Sequence, residues 1–283
     1  VCRDDGSGDF RTFQQFVDKL HGQGMVIFNA DDVGTQALRI VRGVGYGVAT
    51  LPPLPDLSTE ALAKVEGGLG GVGVHTNEST YLIHDRKAQP GAQHADIFRK
   101  EVHEVLLGRL NLNIPGSFNM MNALAAASSA MELGVPFETC ARALASFRGL
   151  WRRFERVGVW KGADVISDYG HHPSGIKQTI EAAREFFPGR RIVLCYQPHQ
   201  HDRTKKLFEG FVVTLPLADL LILTEIYDVA GRNEDHDVSS QDLVDAIKKN
   251  NLVKDVRFAA DQQAAENLLR EVVKPADVLI IMG

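Results

Sequence analysis

Cysteine is scarce in this chain. Its 283 residues hold only Cys2, Cys140 and Cys195, an odd number with no metal-like pairing. That argues against a disulfide framework and a paired-cysteine zinc site. The apolar settings of Cys140 and Cys195 predict reduced core thiols, hence a reducing cytoplasmic setting. Long hydrophobic runs are missing too. Stretches such as Leu220–Leu223 and Val278–Met282 are strand-sized, far short of the roughly 18 residues a membrane span needs. Positive charge is not in excess: 31 Lys and Arg against 36 Asp and Glu leave a formal charge of -5. That argues against a nucleic-acid-binding surface spread over the protein, while a local basic site for phosphates stays open. There is no internal repeat, heptad or low-complexity tract. The Gly67–Gly73 run lacks the Lys-Ser/Thr ending of a nucleotide loop and reads as a flexible turn. No signal peptide is visible. The chain opens on Val1 without Met and stops at Gly283 directly after an apolar strand, so both ends read as cuts in a longer protein.

What is present is an ordinary globular mixture, 44% apolar and 24% charged. The central stretch runs from Val159 to Arg203. Apolar runs at Ala163–Ser167 and Arg191–Tyr196 predict buried parallel strands. Between them Ile176, Ile180, Ala183 and Phe187 mark one face of a helix over Ser174–Phe187. Strand–helix–strand over some thirty residues is a crossover, which demands a parallel sheet. The alternation continues with a helix from about Arg203 to Leu215, a strand at Leu220–Glu225 and a charged loop at Ile226–Ser239. A helix capped by Ser239 or Ser240 then runs to Lys249. A strand at Val256–Ala259, a helix from Asp261 to Val272 and a last strand at Asp277–Met282 complete the pattern.

Before Leu150 the pattern is mixed. Expected elements are a helix over Phe10–Leu20 capped by Asp9, a strand at Met25–Phe28, a helix over Thr35–Val41 and a loop at Ala49–Asp56. Short strands are expected at Val72–His75, Thr80–His84 and Val102–Leu106, with a polar loop at Lys87–Gln93. An Ala-rich helix opens near Pro115 and ends at Leu133, with Gly134 past its end, and a second covers Pro136–Phe147. The domain boundary is placed near Leu150, giving domains 1–150 and 151–283. The expected fold class is α/β.

Open α/β sheets bind ligands at the carboxyl ends of their strands. Two of the predicted strands run there into polar clusters, Ser167–Pro173 and Gln197–Arg203. Asp168 could accept bonds from ribose hydroxyls. Tyr169, His171, His172, His199 and His201 suit local hydrogen bonding or substrate contact. Adjacent histidines point apart, and His199 and His201 have no cysteine partner, so no metal site is assigned. Arg203 suits a bidentate carboxylate or an ion pair with Asp202 or Glu209. Arg152 and Arg153 suit phosphate oxygens or an ordinary exposed surface. Asn119 and Asn122, three apart at a helix start, could read an adenine edge or serve only as cap and solvated polar group.

Five stretches carry a resemblance: PGSFNMMNALAAA (Pro115–Ala127), FRGLWRRFE (Phe147–Glu155), SDYGHHPSGIKQTI (Ser167–Ile180), YQPHQHDRT (Tyr196–Thr204) and VLIIMG (Val278–Gly283). In this order they resemble the Mur ligase family, the ATP-dependent amino-acid ligases of bacterial cell-wall synthesis. The resemblance is firm over Leu110–Gly283, and NADD at Asn29–Asp32 is its best mark before that. It implies the remainder of a central P-loop-type ATPase domain followed by a Rossmann-like domain with a mostly parallel sheet. It implies ATP and Mg²⁺ as cofactors, with the metal ligands and the ATP loop before Val1, and hence no ligation by this chain alone. The implied reaction joins L-alanine to UDP-N-acetylmuramate through an acyl phosphate. A tripeptide-adding recycling ligase and a non-catalytic nucleotide-binding module are the alternatives. Carried over residue by residue, the resemblance puts Asn119 and Asn122 on adenine, Arg153 on the phosphates across the domain hinge and Asp168 on ribose. Tyr169, His171, His199 and Arg203 would surround the incoming amino acid and acyl group. Catalytic roles fall to Arg153, His171 and His199. Gln200 and Phe118 depart from the residues common in the family, Arg and His.

Overall fold

A computed structural model of the chain describes residues 7–19, 24–32, 35, 38, 40, 43–48, 79–227, 237–250 and 255–283. Two compact units emerge. One gathers residues up to Lys87 with His94–Leu112 and Asn119–Ser146. The other gathers Ala88–Gln93, Asn113–Phe118 and Phe147–Gly283.

The first unit holds helix α1 (Ser7–Asp18) and a five-stranded sheet in sequential order: β1 (Val26–Asn29), β2 (Gly43–Val48), β3 (Ser79–Gln89), β4 (Ala92–Lys100) and β5 (Glu104–Leu112). Helices α2 (Ser117–Glu132) and α3 (Phe137–Ser146) follow. Several expectations are corrected here. Helix α1 begins before Asp9, so that residue is inside it and not its cap. Lys87–Gln93 is no loop. It is the end of β3, the Pro90-Gly91 turn and the start of β4, a hairpin closed by two residues. The strand expected at Val102–Leu106 starts later, at Glu104, and runs on to Leu112. Strands β2 and β4 were not anticipated. β2 reads GVGYGV, and the inward positions of β4 are Gln93, Ala95 and Ile97, so neither shows a plain apolar alternation. The helix over Thr35–Val41 falls mostly outside the described residues. The Ala49–Asp56 loop, the Gly67–Gly73 run and the Val72–His75 strand fall wholly outside them.

Helix α2 buries Met120, Ala123, Leu124, Ala127 and Ser128, one stripe at helical spacing. Ahead of it, the buried amide of Gln93 donates to the carbonyls of Ile114 and Gly116, at 2.7 and 3.0 Å. Gly116 is left-handed (φ 90°), and an added Cβ would meet the Phe118 ring at 2.4 Å. Only glycine suits that bend.

The second unit is built on a six-stranded sheet in the order β10-β9-β8-β11-β7-β6. Its strands are β6 (Glu155–Trp160), β7 (Ala163–Asp168), β8 (Ile192–Tyr196), β9 (Leu220–Thr224), β10 (Val256–Ala259) and β11 (Val278–Met282). All neighbours are parallel except β6, which pairs antiparallel with β7 at the edge. Strands β8 and β9 are buried at every position, as strands covered on both faces must be. Helices α4 (Pro173–Phe186), α6 (Phe208–Thr214) and α7 (Ser240–Lys249) cover one face. They pack Ile176, Ile180, Phe211, Leu243 and Ile247 against Ile166, Leu194, Leu221 and Ile280. Helix α8 (Gln262–Val272) covers the other face, bringing Ala265 and Val272 to Val193, Ile222 and Leu279. The helix expected over Arg203–Leu215 is two: α5 (His201–Lys206) and α6, broken at Leu207, with a 3₁₀ turn at Leu215–Leu217. Strands β7 and β8, joined by a single crossover, are not neighbours, because β11 inserts between them. The edge strand β6 was also missed, since Val157 and Val159 are more than half exposed. Of the Ile226–Ser239 loop, only its ends are described.

Polar groups tie the sheet's amino-terminal end. Arg156 (2.5 Å) and Arg190 (2.6 Å) donate to the Asp164 carboxylate, and Arg191 (2.6 Å) to that of Asp277. Cys140 and Cys195 are buried free thiols, and burial pushes Cys195 up to about 12, so it is inert.

Candidate functional site

At the carboxyl edge of this sheet, four strand ends and one turn bring side chains together. The turn comes first in sequence. Arg152 and Phe154 both have left-handed backbones, with φ of 55° and 48°. Such conformations cost of order 1–3 kcal/mol each and persist only where surroundings impose them. Here the Arg152 N–H is held by the Glu155 carboxylate at 2.9 Å, and Phe154 by the Asp168 carboxylate at the end of β7. Asp168 accepts the Phe154 N–H at 2.8 Å and the Gly170 N–H at 2.7 Å, while the Tyr169 N–H donates to the Arg152 carbonyl at 2.8 Å. Burial raises the Asp168 pKa above the ordinary value, against the opposing pull of those N–H groups and Arg153. This carboxylate is 6% exposed and ties two chain segments together. Contact with a ribose would have to use the lone pairs these bonds leave.

The turn so held carries Arg152 and Arg153 to Tyr169. Their guanidinium carbons lie 4.7 and 5.7 Å from its ring centroid. Arg152 also stacks near Trp151 and donates to the Gly283 carbonyl after β11. Tyr169 stands edge-on to His171 (5.3 Å between centroids) and to His199 (6.5 Å). The His171 Nδ1 lies 3.0 Å from the Tyr169 carbonyl. A carbonyl only accepts, so Nδ1 carries the hydrogen and Nε2 is the free acceptor in the neutral ring. His172 turns away and caps α4 through Nδ1, with Pro173 at the first helical position.

Strand β8 supplies the other half. Pro198 and His199 follow its end, and Tyr227, after β9, lays its ring on His199 at 5.0 Å. The His199 pKa is lowered, first by burial and then by Arg203, His171 and Arg152. Gln200 turns the chain into α5 with a strained φ of 71°, and His201 is buried, its Nδ1 2.8 Å from the Val238 carbonyl. The charge of Arg203 acts on this cluster, lowering the pKa of His199 and opposing the rise at the buried Tyr196.

Of the residues expected to matter, Arg153, Asp168, Tyr169, His171, His199 and Arg203 therefore meet at one edge of one sheet. Asn119 and Asn122 belong to the other unit. They lie on the first turns of α2, Asn119 half-buried and Asn122 exposed, beside its buried stripe. Tyr227 was missed. The available signal was its place: an aromatic directly after an apolar strand, as Tyr169 is after β7.

Among the described residues, no group of three His, Cys, Asp or Glu is placed to hold a metal ion, and no helix is long and apolar enough to cross a membrane. Chemically the cluster offers cations for phosphate or carboxylate oxygens and a largely unprotonated imidazole between aromatic rings.

Comparison with known proteins gives the following. The family described as "Mur ligase, glutamate ligase domain" matches residues 152–283. A UDP-N-acetylmuramate–L-alanine ligase of Sorangium cellulosum is 41% identical over 276 residues, 96% of this chain and 52% of that protein. Its namesake in Geobacter sp. is 41% identical over 179 residues, 63% of this chain and 38% of that protein. The chain thus spans about half or less of these relatives' length. In fold it is similar to the crystal structure of the Thermotoga maritima UDP-N-acetylmuramate–alanine ligase. That match has a TM-score of 0.72 at 24% identity and covers 99% of this chain and 53% of that one. A murein peptide ligase of Psychrobacter arcticus matches at a TM-score of 0.59 and 18% identity, over 97% of this chain and 51% of that one.

Proposed function

From the premise that this chain belongs to the Mur ligase family through residues 152–283, we propose that the protein joins L-alanine to the lactyl carboxylate of UDP-N-acetylmuramate with ATP. The observation that carries this reading is the cluster on the carboxyl edge of the second sheet, where Arg152, Arg153 and Arg203 converge with Tyr169, His171 and His199. Among the described residues, its buried carboxylate, Asp168, is already engaged by backbone N–H groups. The choice of L-alanine over a tripeptide rests on the relatives at 41% identity, which bear the L-alanine name.

The Mur ligases are ATP-dependent. ATP, when bound, supplies the phosphoryl group that turns the carboxylate into an acyl phosphate. The residues fit that use, since several cationic side chains lie at one edge. Arg153 holds phosphate oxygens and neutralises charge as it develops. Arg203 takes the carboxylate of the amino acid as a bidentate pair. His171, with Nε2 free, and His199, poor in protons, accept hydrogen bonds from the ammonium group, and His199 accepts the proton the amine must lose before it attacks. Tyr169 stands edge-on to both imidazoles. Asn119 and Asn122 contact adenine, and Asp168 holds the Phe154 end of the turn, with ribose contact through its remaining lone pairs. Mg²⁺, which the family implies, is assigned no ligand among the described residues. The cytoplasm, which holds ATP and UDP-sugars, is the place proposed for this activity.

The test uses the full-length protein. ADP release is followed with UDP-N-acetylmuramate, ATP and either L-alanine or the tripeptide. Release with L-alanine supports the reading. Release with the tripeptide alone transfers it to the recycling ligase, and release with neither rejects both. Arg203→Ala is expected to raise the KM for L-alanine, while Arg153→Ala lowers kcat by about a hundredfold or more.

A further inference from the structure

We propose that Tyr227 is a positioning residue of this site, clamping His199 so that its imidazole faces Tyr169 and His171. The inference rests on the proposed function for its purpose, but its geometry stands independently. Two main-chain bonds join the segments after β8 and β9. The Tyr227 N–H donates to the Pro198 carbonyl at 2.8 Å, and the Gln200 N–H donates to the Tyr227 carbonyl at 3.2 Å. His199 and Tyr227 thereby form an isolated parallel bridge beyond the ends of their strands. The rings follow the backbone, 5.0 Å apart and inclined by 34°. Tyr169 meets the same His199 ring edge-on, 6.5 Å away and inclined by 78°.

Tyr227 is 49% exposed, so a core role does not explain it. Its value is local. Among the described residues, the charges that act on His199 are all cationic or able to become so: Arg203 from α5, His171 from the loop after β7 and Arg152 from the turn before β6. A further charge there would repel or bind the imidazole. A neutral ring excludes water and adds none, so the imidazole keeps its lone pair and has one orientation in which to use it.

Nuclear magnetic resonance of the whole 283-residue chain tests this. The His199 imidazole is titrated in wild type, Tyr227→Phe, Tyr227→Leu and Tyr227→Ala, with the buried Tyr196–Phe211 pair reporting on the core. Wild type and Tyr227→Phe are expected to share a midpoint below the ordinary histidine value of about 6.5 and the same contacts with Tyr169. Tyr227→Ala admits water, so its midpoint should rise by a few tenths of a unit or more, about a twofold or greater change in protonation, and those contacts should weaken. Tyr227→Leu fills the space without a ring, and is expected to keep the core signals and lose the contacts. The proposal fails if Ala and Leu leave midpoint and contacts unchanged, or if Phe behaves like Ala, which would assign the effect to the hydroxyl. In the full-length ligase, Tyr227→Ala should raise the KM for L-alanine and shift the acid limb of the kcat/KM profile, with Phe near wild type. Absence of ligation by the wild type would reject the function and leave the clamp standing.

Discussion

Asp168 shows how one side chain can hold a whole site. Its two oxygens accept backbone N–H groups from Phe154 and Gly170, and the strained backbone of Phe154 is held by the first of these bonds. Asp168→Asn would set an amide NH₂ against one of those donors. About 1–3 kcal/mol of stability should be lost, the cost of a buried group left unsatisfied. A lowered urea midpoint at pH 7 would show it, and an unchanged midpoint would remove Asp168 from this role. At His199 the same cause, burial, shifts the pKa the other way, because here the charged form is the protonated one. Its folded pKa lies below the ordinary value, so the unfolded chain binds the proton more readily between the two. Stability from this group is complete above the ordinary histidine value and declines as pH falls through the window beneath it. His199→Gln should flatten that part of a stability-against-pH curve.

Elements tell which local rules survive packing. Helix α8 opens as its residues demand: Asp261 accepts the Ala264 N–H at 2.7 Å. Asp261→Ala should cost about 1 kcal/mol, read as a shift in thermal midpoint. Helix α7 has the expected cap as well, Ser239 with Asp242 in a reciprocal box. The hairpin β3–β4 went unrecognised because its inward residues are small or polar. Gln93, 1% exposed, earns burial by serving the loop ahead of α2, not by hydrophobicity. The break between α5 and α6 has no breaker residue in HDRTKKLFEGFVV, and helical spacing alone runs through it.

Over the whole molecule, acid should destabilise. Burial pushes Asp164 and Asp277 up, but hydrogen bonds from Arg190, Arg156 and Arg191 outweigh it and hold both below the usual carboxylate range. Groups with depressed pKa values stabilise above their unfolded value and lose that effect as pH falls through the folded one. Asp168, raised, works in the other sense, being most stabilising below the ordinary carboxylate value. The pairs at Asp164 and Asp277 outnumber it, so the urea midpoint should drop between pH 5 and pH 3. Arg190→Met should shrink that drop, and an equal drop in the variant would refute the assignment. Much was readable before any coordinates. Apolar runs spell out β7 to β11 and their helices, because strands buried on both faces cannot be polar, and the five matched stretches carried the family. Most of the cluster was readable too, since ligand groups follow strand ends. Only packing in three dimensions decided that β11 separates β7 from β8, that Asp168 reaches back to Phe154, and that Tyr227 lies on His199. Those contacts join residues 14 to more than 100 positions apart, and no local periodicity records which strand ends will meet.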